Sequence, residues 1–156
     1  MAHNSTIDQL NHLVHINKDA EAGFRTAAGN VKNSEIETLF DGYAKQHAKF
    51  ITELQGEIER LGGNASDSGT LGGALHRGWM DVTSALTGHS AGSMLTACET
   101  GEQSAEAAYA EAADANPTGQ THTLIEKHRQ QISGFRARLS KLVGEIKDGL
   151  EFQNNE

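Results

Sequence analysis

THTLIEKHRQQISGFRARLSKLVGEI, Thr121 to Ile146, is the stretch whose reading decides the fold. Ile125, Ile132, Phe135, Leu139, Leu142 and Ile146 recur at steps of three, four and seven, which puts them on one face of an α-helix. His128 occupies a position in that stripe where a leucine is expected. Thr123 with Glu126 reads as a capping box, and NPTG, Asn116 to Gly119, reads as the turn before the helix. The spacing predicts helix D over about 120–150.

The same spacing runs through three more segments. Helix A, about 5–31, carries Ile7, Leu10, Val14, Phe24, Ala28 and Val31, with Asn17 and Glu21 breaking the stripe and Ser5 with Asp8 as its capping box. Helix B, about 34–61, carries Ile36, Phe40, Tyr43, His47, Phe50, Leu54, Ile58 and Leu61, opened by Ser34 with Glu37. Helix C, about 90–114, carries Leu95, Cys98, Glu102, Ala105, Tyr109 and Ala112. Between B and C lies a crossover, 62–89, that starts on the small and polar GGNASDSGTLGG and holds a short amphipathic helix around Trp79, about 72–87. Two antiparallel hairpins joined by a long crossover define an all-α four-helix bundle, one domain over 1–156.

Composition bounds the function. The net charge of −8 argues against broad nucleic-acid or anionic-membrane binding, either of which needs a concentrated basic surface. Cys98 is the single cysteine, so neither an internal disulfide nor a cysteine-built zinc site can form within one chain, and a reducing cytoplasm is expected. The N-terminal stretch lacks a signal-peptide pattern, and no run of apolar residues is long enough to span a membrane. No nucleotide-binding glycine loop and no Ser-His-Asp arrangement stands out.

The four breaks, Glu21 in A, His47 in B, Glu102 in C and His128 in D, have a common spacing. Glu21 to His47 and Glu102 to His128 are each 26 residues, and the halves are offset by 81. Each pair centres near a turn, at Ser34 and at Ala115, so each Glu is expected level with its His in an antiparallel hairpin. Two carboxylates and two imidazoles meeting in mid-bundle need partners, since an unpaired buried carboxylate costs several kcal/mol or becomes protonated. Ion pairing, hydrogen bonds to tyrosine, or one shared divalent ion such as iron, zinc or manganese would each satisfy them. Glu99 and Glu106 flank Glu102 by about one turn and read as a solvated acidic face.

The segments INKDAEAGF, YAKQHAKFITELQ and ACETGEQSAEAAYAEA, with the leucine-spaced helix D, resemble the ferritin-like superfamily. They resemble more closely an uncharacterised bacterial family of ferritin-like four-helix bundles known as a domain of unknown function. The resemblance implies a ferritin-like fold in which Glu21 and Glu102 match the lone glutamates of di-iron members and His47 and His128 match the histidines. The remaining carboxylates of that pattern are replaced by Ala44 and Ile125, which argues against a di-iron oxidase or iron store.

Two functions follow as expectations. One is a metal-associated protein, with a role in stress, holding a divalent ion at Glu21, His47, Glu102 and His128. The other is a metal-free structural or interaction bundle with a buried polar layer. In either case catalysis is less expected than binding, and self-association as a homo-oligomer is expected, with the Trp79 segment a candidate surface.

Overall fold

The computed structural model describes residues 2–65 and 91–147. The short helix expected over about 72–87 and the end of helix D beyond 147 lie outside the described residues. Within them the chain forms four helices and no strand: α1 (Ala2–Asn30), α2 (Ser34–Arg60), α3 (Ala91–Asp114) and α4 (Gly119–Lys147). None of these helices is long and apolar enough to cross a membrane.

The expected capping boxes are not the caps that form. α1 starts at Ala2 and α4 at Gly119, so Ser5 and Thr123 lie inside their helices, and the Thr123 hydroxyl donates to the Gly119 carbonyl. At α2 the cap is Asn33, one residue before Ser34, with Oδ1 accepting from the backbone N–H of Glu35 and Ile36 at 2.9 and 3.0 Å. Asn33 takes extended backbone angles, while Ser34 is already helical and cannot turn its hydroxyl back onto those amides.

α2 ends in a left-handed turn at Gly62, φ +88°, with Gly63 N–H donating to the Ile58 carbonyl. Gly63 is needed for closeness as well, because a Cβ there would lie 2.8 Å from Ile7 of α1. The turn between α3 and α4 follows the sequence signal, with left-handed backbone at Asn116 and Gly119 on either side of Pro117.

α1 packs most extensively on α2 and α3 on α4, while α1 also meets α3 and α2 meets α4. The core divides into two apolar clusters. One joins the C-terminal half of α1 (Phe24, Ala27), the N-terminal half of α2 (Ile36, Phe40), the N-terminal half of α3 (Met94, Leu95) and the C-terminal half of α4 (Leu139, Leu142). The other joins the four opposite halves, including Leu10, Leu13, Leu54, Ile58, Ala108, Tyr109 and Ile125. α2 and α3 therefore run in the same direction, and the end of α2 lies at the opposite end of the bundle from the start of α3. Between the clusters lies a layer of buried polar side chains.

Candidate functional site

Asn17, His47, Glu102 and His128 are completely buried, each at 0% exposure. Four polar side chains in a dry core must satisfy one another, and here they do so along one chain of hydrogen bonds. His47 Nε2 lies 2.9 and 3.1 Å from the two carboxylate oxygens of Glu102. His47 Nδ1 is 2.6 Å from Asn17 Oδ1, and Asn17 Nδ2 donates to the Tyr109 hydroxyl at 2.8 Å. The Tyr109 hydroxyl is 2.8 Å from His128 Nδ1, and His128 Nε2 is 2.7 Å from Glu53 Oε1. Lys127 closes the chain at the surface by donating to Glu53 Oε2 at 3.2 Å. All four helices contribute.

One backbone carbonyl sets the direction of the chain. Asn17 Nδ2 also donates to the Leu13 carbonyl at 2.8 Å, and a carbonyl can only accept, so the amide cannot turn over. Asn17 Oδ1 therefore accepts, and His47 Nδ1 carries a proton. Tyr109 receives the Asn17 N–H and donates its own O–H to His128 Nδ1. A nitrogen that accepts is unprotonated, so His128 is a neutral imidazole with its proton on Nε2, donated to Glu53. At the other end His47 Nε2 faces both carboxylate oxygens of Glu102, with the bridging hydrogen on that line.

Electrostatics agree with this polarity. Burial pushes His128 down from its ordinary 6.5 to about 4, against the opposing pull of Glu53. Burial would raise Glu53, but hydrogen bonds from His128 and Lys127 prevail and hold it below the usual carboxylate range. The Tyr109 phenol is pushed far up by burial. Cys98 is a fully buried free thiol whose pKa is raised by burial and by Glu102, which makes it an inert small core residue.

The structure brings together only part of the set chosen from sequence. Glu102 and His47 are in contact. Glu21 is not in the layer: its side chain is 27% exposed and it pairs with Arg25, one turn on in the same helix, at 2.9 Å. The error lies in the turn. α1 ends at Asn30 and α2 starts at Ser34, so the hairpin centres on Lys32, and the residue level with His47 is Asn17, fifteen positions before Lys32 as His47 is fifteen after. Similarly the α3–α4 turn centres after Ala115, which moves His128 away from Glu102 and toward Tyr109.

Glu53 was missed from sequence. It sits at the edge of the α2 apolar stripe, one residue before Leu54, and its partner is on a helix of the other hairpin. Of the flanking acidic pair on α3, Glu106 is engaged by Arg136 of α4.

Both nitrogens of both layer histidines have protein partners. Among the described residues no group of three or more His, Cys, Asp or Glu side chains is arranged to hold an ion. The one buried side-chain nitrogen or oxygen without a partner there is Asn11 Oδ1, outside the layer.

Beside Glu53 the surface carries an open groove of about 700 Å³, lined by Glu53, Glu57, Gln120, Thr123, Leu124 and Lys127. Its carboxylates are taken: Glu53 as described, and Glu57 by Arg60 and Thr121. The Arg60 contact holds Glu57 below the usual carboxylate range.

Fold and site together define a helical bundle with a hydrogen-bonded polar layer at its centre. A family model described as "Domain of unknown function (DUF2383)" matches residues 5–115, covering α1, α2 and α3. The chain belongs to this family. Comparison with curated proteins gives no match.

Proposed function

We propose that this protein is a non-enzymatic, ferritin-like helical bundle that acts by association, with itself as a homo-oligomer or with another protein, and that its polar layer is a metal-free structural device. The observation that carries this reading is the saturation of the layer. Every ligating nitrogen and the inner carboxylate are used to bind one helix to another. Such a layer fixes which helices pair and at what height, because a slip of one turn would leave several buried polar groups without partners. The parallel run of α2 and α3 supports the ferritin-like part of the reading. The acidic balance and the inert lone thiol support a cytoplasmic place of work.

The test is elemental analysis of the purified protein together with calorimetric titration of ferrous iron, zinc and manganese. No bound metal and no binding heat that is lost in Glu102→Ala is the expected result. One equivalent of metal, lost in that variant, would replace this reading with a second one. In that reading the ion takes the place of the proton between His47 Nε2 and Glu102, two adjacent groups of suitable ligand type.

A further inference from the structure

Tyr43 and Tyr109 are the chain's two tyrosines, and they stand at opposite ends of one set of aromatic rings. Half-buried Tyr43 stacks on Phe135 with centroids 4.3 Å apart. Phe135 lies 6.3 Å from Phe50, Phe50 stacks on His128 at 4.1 Å, and His128 meets Tyr109 edge-on at 5.6 Å. A second path leaves Tyr43 through Phe24 at 5.5 Å, His47 at 5.8 Å and Phe50 at 5.6 Å.

The two phenols differ in what can receive their proton. A phenol that loses an electron becomes a strong acid and must release its proton, which in a dry core requires a base already in hydrogen-bond contact. Tyr109 has one: neutral His128, whose Nδ1 accepts the phenolic hydrogen at 2.8 Å and whose other N–H is held by the Glu53 carboxylate at 2.7 Å. Asn17 Nδ2 stays in place to hydrogen-bond the oxygen after the proton has gone. Tyr43 has no such base among its described neighbours, and burial, the leading cause, raises its phenol to about 12.

We propose that Tyr109 is a redox-active tyrosine, the sink for the oxidising equivalent left when an outer-sphere one-electron oxidant reacts at half-buried Tyr43, with His128 taking the phenolic proton. The oxidant takes one electron from Tyr43, whose phenolic proton passes to solvent, leaving a Tyr43 phenoxyl. One electron then passes from Tyr109 across the rings to Tyr43, which regains its phenol by taking a proton from solvent. The Tyr109 O–H bond breaks as the proton moves to His128 Nδ1. A neutral Tyr109 phenoxyl and an imidazolium paired with Glu53 remain. The sink is independent of whether the bundle binds a partner.

The experiment uses the full chain carrying Trp79→Phe, so that the two tyrosines are its only phenol or indole groups, oxidised by photogenerated tris(bipyridine)ruthenium(III). Phenoxyl absorption and electron paramagnetic resonance are followed in time. A long-lived phenoxyl is expected, lost in Tyr109→Phe, which retains at most a short-lived signal from Tyr43. Tyr43→Phe leaves the hydrogen-bonded layer intact and is expected to form the long-lived radical more slowly. Circular dichroism identifies a variant that has lost its fold, and Tyr43→Phe then serves as the deciding case. The same yield and lifetime in the parent and Tyr109→Phe would overturn the sink, and unchanged build-up in Tyr43→Phe would overturn the route.

Discussion

Leu13 contributes one carbonyl to the layer, yet through Asn17 it fixes which nitrogen of two histidines on other helices carries a proton. Asn17→Leu should therefore cost more than an ordinary polar-to-apolar change. It strands His47 Nδ1–H without an acceptor and deprives Tyr109 of a donor, which places the loss at about 3 kcal/mol in a denaturant melt. Glu21 and Glu102 make a sharper contrast. Glu21→Ala removes an exposed pairing with Arg25 and should change stability by no more than about 0.5 kcal/mol. Glu102→Ala leaves His47 buried without its partner and should cost about 3–5 kcal/mol.

Acid should weaken the fold through His128. Above its ordinary 6.5 the residue is neutral folded and unfolded, so it contributes no pH dependence. Between 6.5 and about 4 the unfolded chain binds a proton that the folded chain does not, and stability falls by on the order of 3 kcal/mol over that window. Below about 4 both states are protonated and this contribution levels off. Glu53 acts with the opposite charge but the same sign: its depressed folded value gives stability above the ordinary 4.5 that is lost as pH falls below it. Stability measured from pH 7 to 4 in the wild type and in His128→Gln should diverge, with the shallower slope in the variant.

At the scale of the helix, periodicity and capping carried unequal information. The apolar stripes placed all four helices within a few residues, because burial of a face repeats over many turns and one deviant position cannot hide it. Caps depend on the backbone angles of single residues, and Ser34, Ser5 and Thr123 matched the pattern without occupying the place. Asn33→Ala should cost about 1 kcal/mol, whereas Ser34→Ala should be close to neutral. The same small uncertainty at the turns decided the site. A turn centre shifted by two residues moves the residue level with His47 by four, from Glu21 to Asn17. His47, Glu102 and His128 were legible as inward-facing residues from their own stripes, but the contact of His47 with Glu102 was not, because each Glu was expected level with the His of its own hairpin. Glu53 was not, since nothing local marks a partner that is 75 residues from His128.

For the whole molecule, the two hairpins meet through a layer that belongs to neither. His47 with Glu102 and Glu53 with His128 both cross from one hairpin to the other, so neither hairpin alone can satisfy its polar core. Assembly of the hairpins and closure of the layer should be one cooperative event. Near-ultraviolet circular dichroism, to which buried Tyr109 contributes, and far-ultraviolet circular dichroism should then give coincident unfolding transitions in the wild type. Self-association would appear in sedimentation equilibrium as a mass above one chain and a concentration-dependent melting temperature.

Nitrogen-15 spectroscopy of the histidine side chains tests the closed, metal-free layer most directly. The expected spectrum shows His128 with Nδ1 unprotonated and Nε2 protonated, His47 with a proton on Nδ1, and neither signal moved by added zinc. A His128 protonated on Nδ1, or ring signals that shift with one equivalent of zinc, would contradict it.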